Sequence, residues 1–227
     1  MEEKWLSKVH PEWMRALLPK VFAHDSAEKL RKFLVSEVQR GAELAPPKPD
    51  IWNAFSYVGP KNVRAVILGQ DPFPNKGQAD GLAFSVRQGH GWAPSLVNIF
   101  DEIKRDIPGT VHVRSGLETW AKQGVLLMNS VMTTEVGRIA AHANSGWEEI
   151  TDQILIELQK VNPKIVYLLW GNFAKMKYPL IKSSLGILQT SHPSPNSVDR
   201  GFAGCGHFSK TNEFLKSAGL APIDWST

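Results

Sequence analysis

Four short runs of apolar residues predict the strands of one sheet. The first run, residues 63–68, is rich in β-branched side chains and is stopped by Gly69. Continuous apolar runs of this length are typical of strands that are buried on both faces. The other three runs cover residues 125–128, 165–170 and 187–188. Together they predict a buried sheet at the centre of the molecule.

Segments with the apolar spacing of helices separate these runs. Leu96, Phe100 and Ile103, for example, fall on one face of a helix. The predicted helices cover residues 11–22, 26–40, 96–107, 116–123, 147–161 and 209–218. Ser26 is the predicted N-cap of the second helix, and Gly41 is its predicted stop. Because strands alternate with helices, we expect an α/β fold whose central, mostly parallel four-stranded sheet carries helices on both faces.

We expect residues 1–227 to form a single domain, of which residues 1–44 are the helical N-terminal part. A length of 227 residues with 42% hydrophobic side chains is enough for a sizeable core. The proline-bearing stretch at residues 45–50 predicts a stiff extended connector, which is too short to link two domains. Residues 133–145 are predicted to form a long loop.

Composition excludes several classes of protein. Cys205 is the only cysteine, which rules out an intrachain disulfide, a multi-cysteine zinc site and a four-cysteine iron–sulfur cluster. No apolar run approaches the roughly 20 residues of a membrane span, and residues 1–8 are too charged for a signal peptide. We therefore expect a cytoplasmic protein without a membrane partner. The net charge of +4 permits a polyanionic partner but does not demand one.

Polar residues of chemical use follow each of the four predicted strands. They are Gln70 with Asp71, then Asn129, Asn172 and His192. The carboxyl ends of parallel strands lie on one edge of a sheet, so these residues are expected to converge in one crevice. Each of them alone has an ordinary alternative, such as capping a turn or a helix or satisfying a loop backbone. It is much less expected that all four strands end in such residues by coincidence than that these residues form one site.

The chemistry open to such a set is limited. The chain has no phosphate-binding glycine loop with its lysine, no G-x-S-x-G elbow and no H-E-x-x-H. A carboxylate, an amide and a histidine suit cleavage of a bond between a sugar and a planar heterocycle, because the sugar becomes cationic as the base leaves as an anion. Ser95, Ser194 and Ser197 lie in proline-bearing loops that are able to contact phosphates, although ordinary turn chemistry also explains them.

Several longer stretches closely resemble the family 1 uracil-DNA glycosylases, and the likeness covers most of the chain from about residue 45 onward. It is carried by GQDPFPNKGQADGLAFSV at residues 69–86, LLMNS at 126–130 and HPSPNSVDRGFAGCGHFSKTN at 192–212, and by PPKPDIWNAF, APSLVNIF, ANSGWEEITD, LLWGN and PIDW. The resemblance implies hydrolysis of the N-glycosidic bond of uracil in DNA by base flipping, without metal or cofactor, leaving an abasic site for base-excision repair.

The resemblance also implies roles for individual residues. Asp71 matches the acid that positions water and stabilises the cationic sugar, and His192 matches the histidine that hydrogen-bonds the departing uracil anion. Gln70 matches a residue whose backbone contacts a uracil carbonyl, and Phe84 matches the aromatic that stacks on the flipped base. Asn129 matches the amide that reads the edge of uracil and rejects cytosine.

Further positions match the DNA-contacting loops of the family, with departures that mark a divergent member. Ser95, Asn172, Ser194 and Ser197 fall on the backbone-compressing loops, where the second is usually a serine. Phe73 stands in place of a tyrosine that blocks the thymine methyl group. Asn196 occupies the position of a leucine wedge that fills the vacated base stack, and a short amide fills it less well. The other departures are Pro74, Asn75 with Lys76, Asp80, Asp199 and Gly206.

Two other functions stay open from the sequence. One is a glycosylase of the same fold with altered base or context preference, which the departures at Phe73, Pro74 and Asn196 favour. The other is a DNA-binding module that has lost catalysis, which the retained Asp71 and His192 disfavour. The expected partner is uracil-containing DNA, single- or double-stranded, with inhibitor proteins of the family as a further candidate partner. The protein is expected to be a monomer.

Overall fold

The computed structural model describes residues 5–227 and has a parallel sheet at its centre. The strands are β1 (Leu44–Ala45), β2 (Ala65–Gly69), β3 (Val125–Asn129), β4 (Thr134–Glu135), β5 (Val166–Trp170) and β6 (Gly186–Thr190). The central sheet has the order β3-β2-β5-β6, and each neighbouring pair is parallel. Helices flank this sheet, so the predicted α/β fold is confirmed.

Most of the helices lie at the predicted positions, but a short helix directly after β5 was not predicted. They are α1 (Pro11–Ala16), α2 (Leu18–Phe22), α3 (Asp25–Gln39), α4 (Pro94–Asp106), α5 (Glu118–Lys122), α6 (Trp147–Val161), α7 (Gly171–Lys175) and α8 (His207–Ser217). Short 3-10 turns lie at Lys48–Asp50, Asn53–Phe55, Pro60–Asn62, Tyr178–Leu180 and Val198–Arg200. The bounds predicted for α6 are confirmed to the residue, because its apolar positions repeat at helical spacing over its whole length.

Two predictions for the N-terminal helices are wrong. The helix predicted over residues 11–22 is broken at Leu17, which has φ −138°. Pro19 explains the break, because it has no N–H to continue the ladder of helical hydrogen bonds. The second error concerns Ser26. The N-cap of α3 is His24, whose Nδ1 accepts a hydrogen bond from the backbone N–H of Ser26.

A two-stranded ribbon was not predicted. β1 pairs with β4 in antiparallel register, Leu44 with Glu135 and Ala45 with Thr134. The sequence gives no local signal for strands of two residues whose partners lie about ninety positions apart. Arg40 reinforces the ribbon by pairing with Glu135 at 3.0 Å. The ribbon fixes the start of the segment that runs from β4 to α6, which borders the site described below.

The core is built on three strands, the two inner strands β2 and β5 and the buried edge strand β3. β2, β3 and β5 are buried along their whole length, whereas β6 is a partly exposed edge strand. The C-terminal end is tied to the same core, since the indole N–H of Trp120 donates to the carbonyl of Trp225 at 2.9 Å. Among residues 5–227, no helix has the length and apolar character needed to span a membrane.

Candidate active site

A cavity of about 390 Å³ opens at the carboxyl edge of the sheet. Eight residues singled out in the sequence line it: Gln70, Asp71, Phe73, Phe84, Ser95, Asn129, His192 and Ser194. They arrive from the ends of β2 and β3, from the loops that follow β2 and β6 and, for Ser95, from the first turn of α4. The convergence of Asp71, Asn129 and His192 is therefore what the parallel register of the sheet produces.

The register of β2 and β3 fixes the position of Asn129. Gly69 lies directly opposite Asn129, and a β-carbon at Gly69 would collide with Asn129 Oδ1. The chain then stays close to β2, because Ser130 N donates to Gly69 O at 3.0 Å and Val131 N donates to Gln70 O at 2.9 Å. Asn129 is only 8% exposed. Its amide is thus held within the cavity on a rigid strand end, where only a glycine neighbour leaves it room.

The carboxylate of Asp71 is held by a backbone N–H. Asp71 Oδ2 accepts a hydrogen bond from Ala140 N at 2.8 Å. Burial raises the pKa of Asp71, and this hydrogen bond opposes the rise. Ala140 has φ +53°, a left-handed conformation that costs a non-glycine residue about 1 kcal/mol. In this strained conformation the N–H of Ala140 points at the carboxylate of Asp71.

His192 is fixed as a neutral ring with a defined tautomer. The backbone N–H of Ser194 donates to His192 Nδ1 at 3.0 Å. A nitrogen that accepts this bond carries no proton, so the proton of the neutral ring lies on Nε2. Burial lowers the pKa of His192, because the charged form loses hydration. His192 therefore presents an N–H donor to the cavity without carrying a charge.

The loop around His192 is braced by its own serines. Ser197 Oγ donates to the carbonyl of His192 at 2.8 Å and lies 2.9 Å from Ser194 Oγ. From α4, Asn98 Nδ2 donates to the carbonyl of Pro193 at 2.7 Å. These bonds hold the loop in one arrangement. The serines thus have a local structural function whether or not a ligand is bound.

Phe84 forms an aromatic wall of the cavity. Its ring lies 5.5 Å from that of Trp170 and 5.6 Å from that of His192. Its backbone has φ +63°, which is rare for a bulky residue and strained. A residue held in such a conformation needs support from the chain around it.

The support comes from Asp80, a residue that the sequence analysis recorded only as a departure. Asp80 Oδ1 accepts from Leu82 N at 3.0 Å, and Asp80 Oδ2 accepts from the hydroxyl of Ser85. That hydroxyl in turn accepts from Leu117 N at 3.0 Å. Burial raises the pKa of Asp80 to about 6. Asp80 therefore closes the turn that carries Phe84.

Three predicted residues lie outside the lining of this cavity. Asn172, in α7, lines a second cavity of about 370 Å³ that shares Gln70 and His192 with the first. Asn196 is exposed at the tip of the loop after β6, and Ser197 faces the backbone of that loop. These positions suit contacts with a ligand larger than the cavity, but they do not line it.

The segment that closes the cavity on the side of Asp71 was not predicted from the sequence. Ile139 lines the cavity, and Ala140 holds the carboxylate of Asp71. Both belong to the stretch predicted only as a long loop, where no apolar or polar period marks them. Within residues 5–227, no group of three or more histidine, cysteine or acidic side chains is arranged to hold a metal ion.

Comparison with known sequences gives a consistent result. A family model described as the uracil DNA glycosylase superfamily matches residues 55–216. A protein of Pseudomonas putida described as a uracil-DNA glycosylase is 46% identical over 220 residues, which make up 96% of this chain and 95% of the relative. A protein of Pseudomonas entomophila with the same description is also 46% identical over 220 residues, with the same coverage.

Solved structures agree with the sequence comparison. The crystal structure of the mimivirus uracil-DNA glycosylase superposes with a TM-score of 0.92 at 26% identity, covering 98% of this chain and 89% of the viral chain. A variant of the mimivirus UNG, in complex with UGI, also gives a TM-score of 0.92 at 26% identity. In that case 98% of this chain and 91% of the viral chain are covered.

The hydrogen bond from Ser194 to His192 generates a prediction about the ring. At about pH 7.5, long-range ¹H–¹⁵N correlation spectra are expected to show the His192 tautomer that is protonated on Nε2, because Nδ1 accepts the backbone N–H. A titration is expected to give a pKa below 6.5. The exposed His90 serves as an internal reference in the same spectra. Protonation of Nδ1, or a pKa above 6.5, would contradict this geometry.

Proposed function

Because this chain belongs to the uracil DNA glycosylase superfamily, we propose that the cavity at the carboxyl edge of its sheet is the uracil pocket. The chain hydrolyses the N-glycosidic bond of uracil in DNA and leaves an abasic site, as an enzyme of DNA repair. One observation carries the assignment of the pocket: Asp71, Asn129 and His192 leave three different strands and line the same cavity. The uracil has to leave the base stack to enter it.

We propose that His192 stabilises the leaving group. When the bond from C1′ to N1 breaks, its electron pair stays on uracil, and negative charge builds up on the base. The Nε2–H of neutral His192 donates a hydrogen bond to the uracil oxygen that takes up this charge. A neutral donor suits this step, because burial disfavours a charged ring and Ser194 N occupies the other nitrogen.

Asp71 is the proposed counterpart on the sugar side. Its carboxylate faces the positive charge that develops at C1′ and accepts a hydrogen bond from the attacking water. The water oxygen forms the new bond to C1′, and the proton that the water gives up neutralises the uracil anion in the end. The single hydrogen bond from Ala140 leaves Asp71 acceptor sites free for the water.

Three residues are proposed to select uracil. Phe84 stacks on the ring of the flipped base. The amide of Asn129 accepts from N3–H and donates to O4, a pattern that cytosine does not offer. Phe73, half-buried in the lining, blocks the place that the thymine methyl group would take. The backbone of Gln70 is proposed to contact the remaining carbonyl of the base.

The proposed DNA contacts surround the mouth of the cavity. Ser95 and Ser194 line it directly, and Ser197 belongs to the same loop as Ser194. Asn172 and Asn196 extend the surface beyond the cavity on two sides. Hydroxyl, amide and backbone N–H groups of this kind position a phosphate backbone without reading its sequence. We propose that these residues grip the strand while the base is extruded.

The proposal also covers the domain organisation, the oligomeric state and the cellular compartment of the protein. We infer a single glycosylase domain over residues 1–227 that works as a monomer in the cytoplasm. Its N-terminal part, residues 1–44, includes the helices α1, α2 and α3. Cys205, the only cysteine, supports a reducing compartment. The mimivirus UNG variant is in complex with the inhibitor UGI, and its close structural likeness supports testing this chain against the same inhibitor.

The role of Asp71 is tested by Asp71→Asn. We expect single-turnover excision of uracil to fall about 10²–10³-fold, because the amide removes the negative charge that faces the sugar. The fold is expected to persist, since the amide oxygen still accepts from Ala140 N. The substrates are matched oligonucleotides with uracil in a single strand, opposite adenine and opposite guanine. Asp101→Asn, on the exposed face of α4, is the matched control. A rate for Asp71→Asn within a few-fold of that of the control would refute the assignment.

The reading of the uracil edge is tested by Asn129→Asp. A carboxylate offers only acceptors, so it suits the amino group of cytosine and leaves O4 of uracil without a donor. We expect the ratio of cytosine to uracil excision to rise about tenfold or more. The control is Asn62→Asp, in an exposed turn. Thymine opposite guanine is expected to remain uncleaved because of Phe73. An unchanged ratio would show that Asn129 does not select the base.

A further inference from the structure

Ile139 is an exposed apolar side chain at the mouth of the proposed uracil pocket. It is 78% exposed, more than any other large hydrophobic residue in the described part of the chain. A single exposed isoleucine is ordinary on a protein surface. The position of Ile139 is unusual, because this residue lines the cavity together with Asp71 and Ser194. An apolar group is therefore exposed at the mouth of the proposed uracil pocket.

The segment that carries Ile139 is held on both sides. Before it, Gly137 N donates to the carbonyl of Pro74 at 2.8 Å, and the carbonyl of Arg138 accepts from Thr134 Oγ1 at 2.7 Å. After it, Ala140 N donates to Asp71 at 2.8 Å. The exposed side chain thus projects from a fixed backbone. Isoleucine is also stiff at χ1, so little conformational freedom is lost when it is enclosed.

The two-stranded ribbon of β1 and β4 also holds the segment that carries Ile139. Arg138 Nη1 donates to Glu135 Oε2 at 2.6 Å, and the same carboxylate is paired with Arg40. Ala141 N is bonded to Thr134 Oγ1 at 3.3 Å. Within residues 137–141, Ile139 is the only large apolar side chain that is exposed. Its presentation is therefore built into the fold.

Extrusion of a base leaves a gap in the stack that an apolar side chain fills better than a polar one. On the loop after β6 the exposed tip carries Asn196, a short amide after Pro195 that suits this task poorly. Ile139 borders the same cavity from the side of Asp71. It thereby offers exposed apolar surface at the same cavity.

We propose that Ile139 is the side chain that enters the duplex beside the extruded uracil and fills the vacated place in the stack. The proposal rests on the assignment of the uracil pocket. If Ile139 has this function, it affects excision from duplex DNA and not from a single strand, because a single strand has no paired stack that must be held open. The ratio of duplex to single-strand excision rates is therefore the diagnostic quantity.

The test compares wild type, Ile139→Ala, Ile139→Leu and Asn196→Ala in single-turnover excision of one uracil oligonucleotide, as a single strand and paired with its complement. We expect Ile139→Ala to lower the ratio of duplex to single-strand rates about tenfold or more, because most of the apolar surface is removed. Ile139→Leu is expected to restore the ratio, since it keeps the apolar volume. Val113→Ala, another exposed apolar position outside the site, is the control and is expected to keep the wild-type ratio.

A second readout follows the base directly. With 2-aminopurine placed next to the uracil, extrusion is expected to raise the fluorescence on binding of wild type and of Ile139→Leu, and less so for Ile139→Ala. The proposal fails if Ile139→Ala lowers both rates equally, which would indicate a positioning effect through Ala140 and Asp71, or if the ratio is unchanged. It also fails if only Asn196→Ala lowers the ratio. Absence of uracil excision by wild type on both substrates would instead refute the proposed pocket.

Discussion

The parallel register of the central sheet is the constraint on which the rest of the site depends. With β3, β2, β5 and β6 all running in one direction, every strand delivers its last residue to the same edge. Gly69 and Asn129 face each other at that edge, and the glycine leaves the space that the amide occupies. The buried strands are rigid, so the amide has no freedom to leave the cavity. A flexible loop would not hold a base-reading group with comparable precision.

The two proposed catalytic side chains, Asp71 and His192, are held in place in the same way. Each is half-buried, and each is held by a backbone N–H rather than by an opposite charge: Ala140 N for Asp71 and Ser194 N for His192. For the carboxylate, the N–H supports the ionised form against burial. For the ring, the N–H and burial together favour the neutral form. In the proposed mechanism, the pocket thus sets a negative charge beside the sugar and a neutral donor beside the base, and none of the described residues that line it is a lysine or an arginine.

Sequence reasoning recovered the parts of this structure that have local signals. The strands were predicted because buried strands carry continuous apolar runs, and α6 was predicted because its apolar positions repeat at helical spacing. The convergence of Asp71, Asn129 and His192 followed from the parallel topology alone. The pairing of β1 with β4 and the bond from Ala140 to Asp71 were not predicted, because they join positions far apart in the chain through backbone atoms that every residue possesses.

The roles of individual residues rest on the family resemblance more than on the fold. Phe84 is an example: its stacking role came from the likeness, and the structure adds the reason for its placement, a turn closed by Asp80. Asn196 is the opposite example. The resemblance marks it as a departure, and its exposed position gives it no apolar surface to offer. Ile139 entered the account only through its place in three dimensions.

An ionised Asp71 and a neutral His192 together predict a characteristic pH dependence of single-turnover uracil excision. The pKa of Asp71 lies above 3.8 and that of His192 below 6.5, so both groups take up protons only on the acid side. Between about pH 6.5 and about pH 8 the rate is expected to be level, and below that range it is expected to fall as either group is protonated. A rate that rises as the pH drops through 6.5 would show that the protonated histidine is the working form and would contradict the account.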